Sequence, residues 1–111
     1  MDEFSWFIGL YEGEGSCGCY VKGSGKYAVW IQLKMTDLDV IQRARPFIGA
    51  NKNITEQLHH TQKKVAYKLA RHGEKVEQLL LKMYPHLSYR RKRQIDEALT
   101  KRKTLQPMPW D

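Results

Sequence analysis

Residues 16–22 and 26–35 are two stretches in which the type of side chain repeats at every second position. Only Gly23, Ser24 and Gly25 separate them. Alternation with a period of two predicts β-strands, and a short glycine-containing connection predicts that they pair as a hairpin. Residues 51–59 and 63–71 repeat the pattern and predict a second hairpin. A chain of this kind must cover the apolar face of a small antiparallel sheet, which constrains its fold more than any other feature.

Helices are predicted before and between the hairpins. The first is predicted from apolar residues at helical spacing, namely Phe4, Phe7, Ile8, Leu10 and Tyr11. It is expected to end at the glycine-rich residues 13–15. Thr36 and Asp39 have the spacing of a capping box for a second helix, which is expected to close at Pro46 and Gly49.

Two further helices are predicted near the C-terminus, one from residue 73 or 74 to Pro85 and one from about Ser88 to about Arg102. The predicted order is helix, hairpin, helix, hairpin, helix, helix. This order predicts an α+β domain in which helices cover one face of a four-stranded antiparallel sheet. A chain of 111 residues holds one core, so we expect one domain over residues 1–104 and an extended tail over residues 105–111.

Lys and Arg outnumber Asp and Glu by 19 to 12, and the net charge of +7 indicates a polyanionic partner. Nucleic acid is favoured over a membrane surface, because the charge is not gathered on an amphipathic helix. No apolar run approaches a bilayer span, and the first residues lack the features of a secretory signal. Cys17 and Cys19 are too close along one strand for an unstrained disulfide, so we expect an intracellular protein.

If helices cover the sheet face that carries Tyr27, Val29, Ile31 and Leu33, the opposite face must meet solvent or a ligand. We expect it to bind double-stranded DNA, because its cations can neutralise phosphates and its amides and hydroxyls can contact base edges. The residues predicted to bind DNA there are Tyr20, Lys22, Lys26, Trp30, Gln32, Lys34, Asn53, Thr55, Gln57, Lys64 and Lys68. The alternative is an ordinary solvated sheet face.

Gly9 and Gly13 lie four residues apart on the first predicted helix, so a second helix could approach its backbone closely. Glu12 and Glu14 follow at its C-terminal end, where the helix dipole disfavours negative charge. A divalent cation with oxygen ligands would offset this repulsion, and a symmetric dimer would place two such sites side by side. The alternative is ordinary packing at the glycines and a solvated helix end.

Residues 7–15, Phe-Ile-Gly-Leu-Tyr-Glu-Gly-Glu-Gly, closely resemble the signature of the LAGLIDADG homing endonucleases. The order of predicted elements also resembles that family's domain. Because the chain has one such motif, the resemblance implies a homodimer that cuts a palindromic or nearly palindromic target in double-stranded DNA. The residues that it places at the dimer interface are Phe7, Gly9, Leu10 and Gly13.

The resemblance also implies a metal-dependent phosphodiester hydrolysis with Mg²⁺, for which Mn²⁺ could substitute. Glu14 matches the metal-binding acid of the motif, and the carbonyl of Gly13 is a further candidate ligand. Glu12 matches an acid that is usually structural. Asp37 stands where the family often has Gln or another polar residue near the metals, and is therefore a candidate catalytic residue.

Residues 89–94 resemble the basic segment that holds the family's catalytic Lys. Arg90 and Arg91 are equal candidates for an active-site cation, and Lys92 is a weaker one that we also expect to contact DNA. Arg is unsuited to accept a proton. Four consecutive cations at the start of a helix oppose its dipole, which favours a bound polyanion, although pairing with Asp96 and Glu97 is the alternative.

Other functions remain open. A cleavage-deficient protein of this fold could act as a DNA-binding regulator or an intron-splicing RNA-binding protein. Asp37 and the lack of an obvious catalytic Lys favour this alternative, whereas Glu14 disfavours it. A small structural RNA-binding protein would need no metal. A zinc site is not expected from the two cysteines and four histidines, because their spacing matches no usual zinc pattern.

Overall fold

The computed structural model describes residues 2–59 and 64–111, which form an α+β domain with one four-stranded antiparallel sheet. In chain order the elements are α1 (Glu3–Glu14), β1 (Gly15–Val21), β2 (Tyr27–Met35), α2 (Leu38–Gly49), β3 (Ile54–His59), β4 (Lys64–His72), α3 (Glu74–Met83), a 3₁₀ turn (Tyr84–His86) and α4 (Tyr89–Leu105). The predicted order of helices and hairpins is confirmed. Residue 63, the predicted start of the fourth strand, lies outside the described residues, as does His60.

The strand order is β1-β2-β4-β3, so the two hairpins lie side by side and join through β2 and β4. All three pairings are antiparallel. The register places Trp30 between Gly18 and His72, and Gln32 between Ser16 and Ala70. Side chains directly opposite each other share a face, so this register fixes which residues the sheet presents together.

The helices cover one face of the sheet, as predicted. Val29, Ile31 and Leu33 of β2 are fully buried on this face, together with Leu69 of β4. Tyr27, at the start of β2, is only partly buried. The helices contribute buried side chains to the same core, among them Phe7, Tyr11, Ile41, Val76, Leu80 and Ile95. Among the described residues, no helix is long and apolar enough to cross a membrane.

The second helix begins differently from the prediction. Its N-cap residue is Asp37, and that side chain makes no capping hydrogen bond, so the capping box at Thr36 is wrong. Pro46 lies inside the helix, which continues to Gly49. Proline removes only the bond to the carbonyl of Gln42, and both residues are exposed, so water can satisfy that carbonyl.

The C-terminal tail also differs from the prediction. Leu105 belongs to α4, so the expected boundary between residues 104 and 105 falls inside a helix. The tail then turns back instead of extending, because Arg102 hydrogen-bonds the carboxylate of Asp111. Arg102 is 1% exposed and also hydrogen-bonds Glu77 of α3. A buried guanidinium needs carboxylate partners, and this requirement holds the tail against the domain.

Candidate nucleic-acid interface and metal centre

The sheet face opposite the helices, here called the open face, carries most of the residues predicted to bind DNA. The register places on it Tyr20, Trp30, Gln32, Lys34, Thr55, Gln57, Lys64 and Lys68. Lys22 and Lys26 flank the β1–β2 turn and are joined by a backbone hydrogen bond. Asn53 is exposed and directly precedes β3. The predicted set is therefore brought to one face and its rim, with Lys92 on α4.

The cations of the open face lie toward its two ends. Lys22 and Lys26 stand at the β1–β2 turn, whereas Lys34 pairs with Lys68 near the opposite end of β2. Lys26 and Lys34 are eight residues apart, which corresponds to about 26 Å at the rise of an extended strand. Between them lie the aromatic and amide side chains of Trp30 and Gln32. The face therefore has a weakly polar centre framed by positive charge.

His72 is a residue of the open face that the sequence interpretation missed. Its ring meets Tyr20 edge-on, with 5.8 Å between the ring centroids. The pKa of His72 is lowered by burial and then by the nearby charges of Lys22 and Lys52. The alternation of β4 places it on the same face as Lys68 and Ala70, but the predicted strand ended at Arg71, one residue too early.

Glu12 and Glu14, the two acids at the end of α1, have different environments. The Glu12 carboxylate accepts hydrogen bonds from the backbone N–H of Ser88 at 2.5 Å and from its hydroxyl at 2.8 Å. Burial raises the pKa of Glu12, but these bonds and the charges of Arg91 and Arg90 outweigh it and lower the pKa. Glu12 thus joins α1 to the N-terminus of α4, as expected of a structural acid. Glu14 is exposed and makes no hydrogen bond or ion pair within residues 2–59 and 64–111.

Arg90 and Arg91, which the sequence left equal, have different surroundings. Arg91 is 7% exposed; its Nε donates to the carbonyl of Glu12 at 3.0 Å and its Nη1 donates to Gln94 at 2.9 Å. Through the bond to Glu12, Arg91 stabilises the end of α1. Arg90 is exposed, so it is the arginine of this pair that can meet a ligand. Lys92 is half-buried, with its ammonium over the ring of Tyr84.

The exposed side of α1 is flat at its two glycines. A side chain at Gly9 or Gly13 would find no described atom within 4 Å of its Cβ, so packing inside this chain does not require glycine at either position. Leu10 is half-buried beside them. Phe7 is fully buried and stacks on Phe47 at 4.9 Å between ring centroids. The expectation that Phe7 lies at a dimer interface is therefore wrong, because no partner could reach its side chain.

The end of α1 offers some of the oxygen ligands that a hard divalent cation needs. Glu14 offers a free carboxylate, and the carbonyl of Gly13 lies in the last helical turn, where carbonyls lack intrahelical partners. The part of the chain that the structure describes holds no group of three or more His, Cys, Asp or Glu side chains suited to a metal. Asp37 lies exposed before α2. One chain thus offers a partial coordination shell.

The fold that these elements define is that of a LAGLIDADG meganuclease domain. The chain is similar to the solved structure of the LAGLIDADG meganuclease I-AabMI bound to uncleaved DNA, with a TM-score of 0.63 and 15% sequence identity. The match covers 95% of this chain and 37% of that chain, so this chain spans little more than a third of the other's length. No family model and no curated protein sequence matches the chain.

Proposed function

We propose that this protein is a site-specific endonuclease that hydrolyses double-stranded DNA as a homodimer with Mg²⁺. The observation that carries the proposal is the contrast between Glu12 and Glu14, the two acids at the C-terminal end of α1. Glu12 is engaged by Ser88, whereas Glu14 is a free carboxylate at a helix end, next to the exposed glycines of the same helix. A helix C-terminus disfavours an unpaired acid, so Glu14 is better explained by a cation that it binds than by stability.

The open face supports double-stranded DNA as the ligand. The major groove admits a two-stranded β-ribbon, so the centre of the sheet can face base edges while the lysines toward its two ends contact phosphates. The solved structure with the same fold is bound to DNA. We infer that lysines of the open face contact phosphates and that its amides and hydroxyls contact bases.

The exposed side of α1 supports a symmetric dimer. Gly9 and Gly13 would allow α1 of a second copy to approach closely, with Leu10 beside the contact. A two-fold axis at that contact would bring the two Glu14 carboxylates together, one for each DNA strand. A two-fold symmetric protein matches a palindromic or nearly palindromic target.

In this proposal Glu14 and the carbonyl of Gly13 hold Mg²⁺, or Mn²⁺ in its place. When bound, such an ion activates water and neutralises charge on the phosphate. Arg90, exposed at the start of α4, stabilises negative charge as it develops on the phosphate oxygens. Arg91 acts indirectly by holding the end of α1. Asp37 is the remaining polar candidate, and it would orient water.

The test compares the wild type with Glu14→Gln on a randomised duplex library in Mg²⁺, with the fragment ends sequenced. We expect wild-type ends to cluster on a two-fold symmetric site and Glu14→Gln to bind the same site without cutting, because it loses metal charge but keeps the open face. Glu56→Gln, an equally conservative change at an exposed acid on the other face of the sheet, is the control and should cut normally. Equal cutting by Glu14→Gln would contradict the proposal.

A second candidate function is binding without cleavage, as a DNA-binding regulator or an intron-splicing RNA-binding protein. Two residues favour it. Asp37 stands where the family often has Gln, and the exposed residue of the basic segment, Arg90, is an arginine where the family has a catalytic Lys. Sequence-specific retention of duplex DNA with no cuts by the wild type would establish the regulator. Tighter binding of structured RNA than of any duplex would establish the RNA-binding protein.

A further inference from the structure

The centre of the open face contains a depression, here called the central depression, whose lining residues are Tyr20, Trp30, Gln32, Lys68, Ala70, Arg71 and His72. Small residues create it. A Cβ at Gly18 would lie 2.7 Å from the Trp30 ring, so the indole lies across β1 only because that position is glycine. Ala70 lies directly opposite Gln32 on the neighbouring strand. The result is an apolar hollow at the middle of a basic surface.

Gln32 supplies the central depression with a polar group that has no partner among the described residues. Its side-chain amide is half-buried and makes no hydrogen bond to another described residue, so both its donor and its acceptor are available. Arg71 also borders the depression, but its guanidinium donates to the carbonyl of Ile48 at 2.8 Å, beneath the sheet. Lys68 also lines the depression, from the next row of the sheet, beside Lys34 and Thr55. Gln32 therefore gives the depression an amide that is free to bond a ligand.

His72 forms one wall of the central depression. Its ring packs against Tyr20, and burial together with Lys22 and Lys52 lowers its pKa below the ordinary value for histidine. Glu56, on the opposite face of the sheet, does not share this surface. The depression thus combines aromatic area with an unpartnered amide, and of the two cations in its lining Arg71 is engaged by the carbonyl of Ile48.

The unpartnered amide of Gln32 matches one type of base pair. Adenine presents an N6 donor and an N7 acceptor in the major groove, which a glutamine amide can bind together, and its partner thymine presents a methyl group suited to an apolar wall. Guanine presents two acceptors at the same edge and pairs better with Arg or Lys. We propose that the central depression reads one A·T base pair, with Gln32 bonded to adenine and the thymine methyl against Trp30. This inference rests on the proposed binding of duplex DNA.

The experiment selects binding sites from a randomised duplex pool in Ca²⁺, which allows binding to be measured without cutting. We expect wild-type sites to contain an A·T position, repeated by symmetry in a dimer. Gln32→Ala should lower the preference for A·T at that position alone by about tenfold or more. Gln32→Glu should shift the preference toward cytosine, whose N4 amino group can donate to a carboxylate. Lys34→Ala, the control, should weaken binding to all sequences equally.

A chemical substitution tests the methyl contact separately. Replacing that thymine by deoxyuridine removes only the methyl group, so wild-type affinity should fall severalfold while the affinity of Trp30→Ala should not change. Unchanged preferences in Gln32→Ala and Gln32→Glu, or a selected G·C pair at the affected position, would overturn the inference while leaving DNA binding intact. If the wild type retained no duplex, the inference and the proposed function would both be overturned.

Discussion

Arg102 has the largest fully buried side chain among the described residues, and two carboxylates balance its charge. Glu77 of α3 accepts from Nε at 2.9 Å and from Nη2 at 2.7 Å, and Asp111 accepts from the other side of the guanidinium. Its planar geometry allows both carboxylates to bind at once, which Lys could not achieve. This one side chain therefore links α3, α4 and the tail.

Removing Glu77 should be strongly destabilising. Glu77→Ala leaves the buried guanidinium of Arg102 with one carboxylate, and breaking a buried ion pair in this way typically costs about 3 kcal/mol. Urea denaturation of the two proteins measures the difference. Glu97→Ala is the matched control, because its ion pair with Arg93 is exposed and such pairs contribute less than about 1 kcal/mol. Equal losses from the two substitutions would contradict this assignment.

The pair between Arg102 and Asp111 should respond to acid. The hydrogen bond from Arg102 lowers the pKa of Asp111 to about 2, below its ordinary value of 3.8. A carboxyl whose pKa falls on folding stabilises the folded state above its unfolded pKa and loses that effect as the pH falls toward its folded pKa. The stability difference between wild type and Asp111→Asn should therefore be constant above about pH 4.5 and should shrink from there toward pH 2. A difference independent of pH would contradict the pairing.

At the scale of elements, the end of α1 is fixed to the start of α4. Ser88 caps α4 and also donates to Glu12, while Arg91 donates to the Glu12 carbonyl. These contacts position the two helix ends that present Glu14, the last residue of α1, and Arg90, the second residue of α4. The geometry of the candidate site therefore depends on residues that would not themselves touch DNA.

Glu12 and Glu14, at the C-terminal end of α1, should contribute differently to stability. Glu12→Gln weakens charged hydrogen bonds to Ser88 at a partly exposed site, so we expect a loss of about 1 kcal/mol. Glu14→Gln removes an unpaired negative charge from a helix C-terminus, so we expect no loss or a gain of a few tenths of a kcal/mol. Thermal unfolding of the two variants without divalent metal measures this. A larger loss in Glu14→Gln would show that its carboxylate has a structural partner.

The order of the elements was predictable from the sequence because period-two and helical patterns are strong local signals. The hairpins follow from alternation, and the face of β2 that is buried follows from Val29, Ile31 and Leu33. Element ends were less predictable, as Asp37 at the start of α2 shows, because several nearby polar residues can occupy a cap position.

Within the candidate site, the residue types were predictable but their environments were not. Phe7 and Leu10 are both apolar residues of one helix, and only the packing of α1 on Phe47 shows that Phe7 is internal. Likewise, adjacent arginines differ in burial because α4 turns about 100° between Arg90 and Arg91. Such differences arise from contacts between distant segments, which a local pattern does not contain.

At the scale of the whole molecule, association through α1 should depend on its glycines. Gly9→Leu adds a side chain that meets no described atom of its own chain within 4 Å of its Cβ, so the monomer should fold while close approach of a second α1 is blocked. Sedimentation should then show a dimer for the wild type and a monomer for this variant. Gly23→Leu, at a similarly open position in the β1–β2 turn, is the control and should remain dimeric. A dimeric Gly9→Leu would contradict association through this helix.

Gly18 has a consequence for how such a protein could acquire a new target. Any larger residue there would displace the indole of Trp30, since its Cβ would overlap the ring, and would reshape the centre of the sheet without altering a lysine or an amide. If the open face binds DNA as proposed, a single substitution at a position that contacts no base would redirect sequence preference while general attraction to DNA persists. Natural variation or laboratory selection would then alter specificity through residues beneath the contact surface as well as through residues on it.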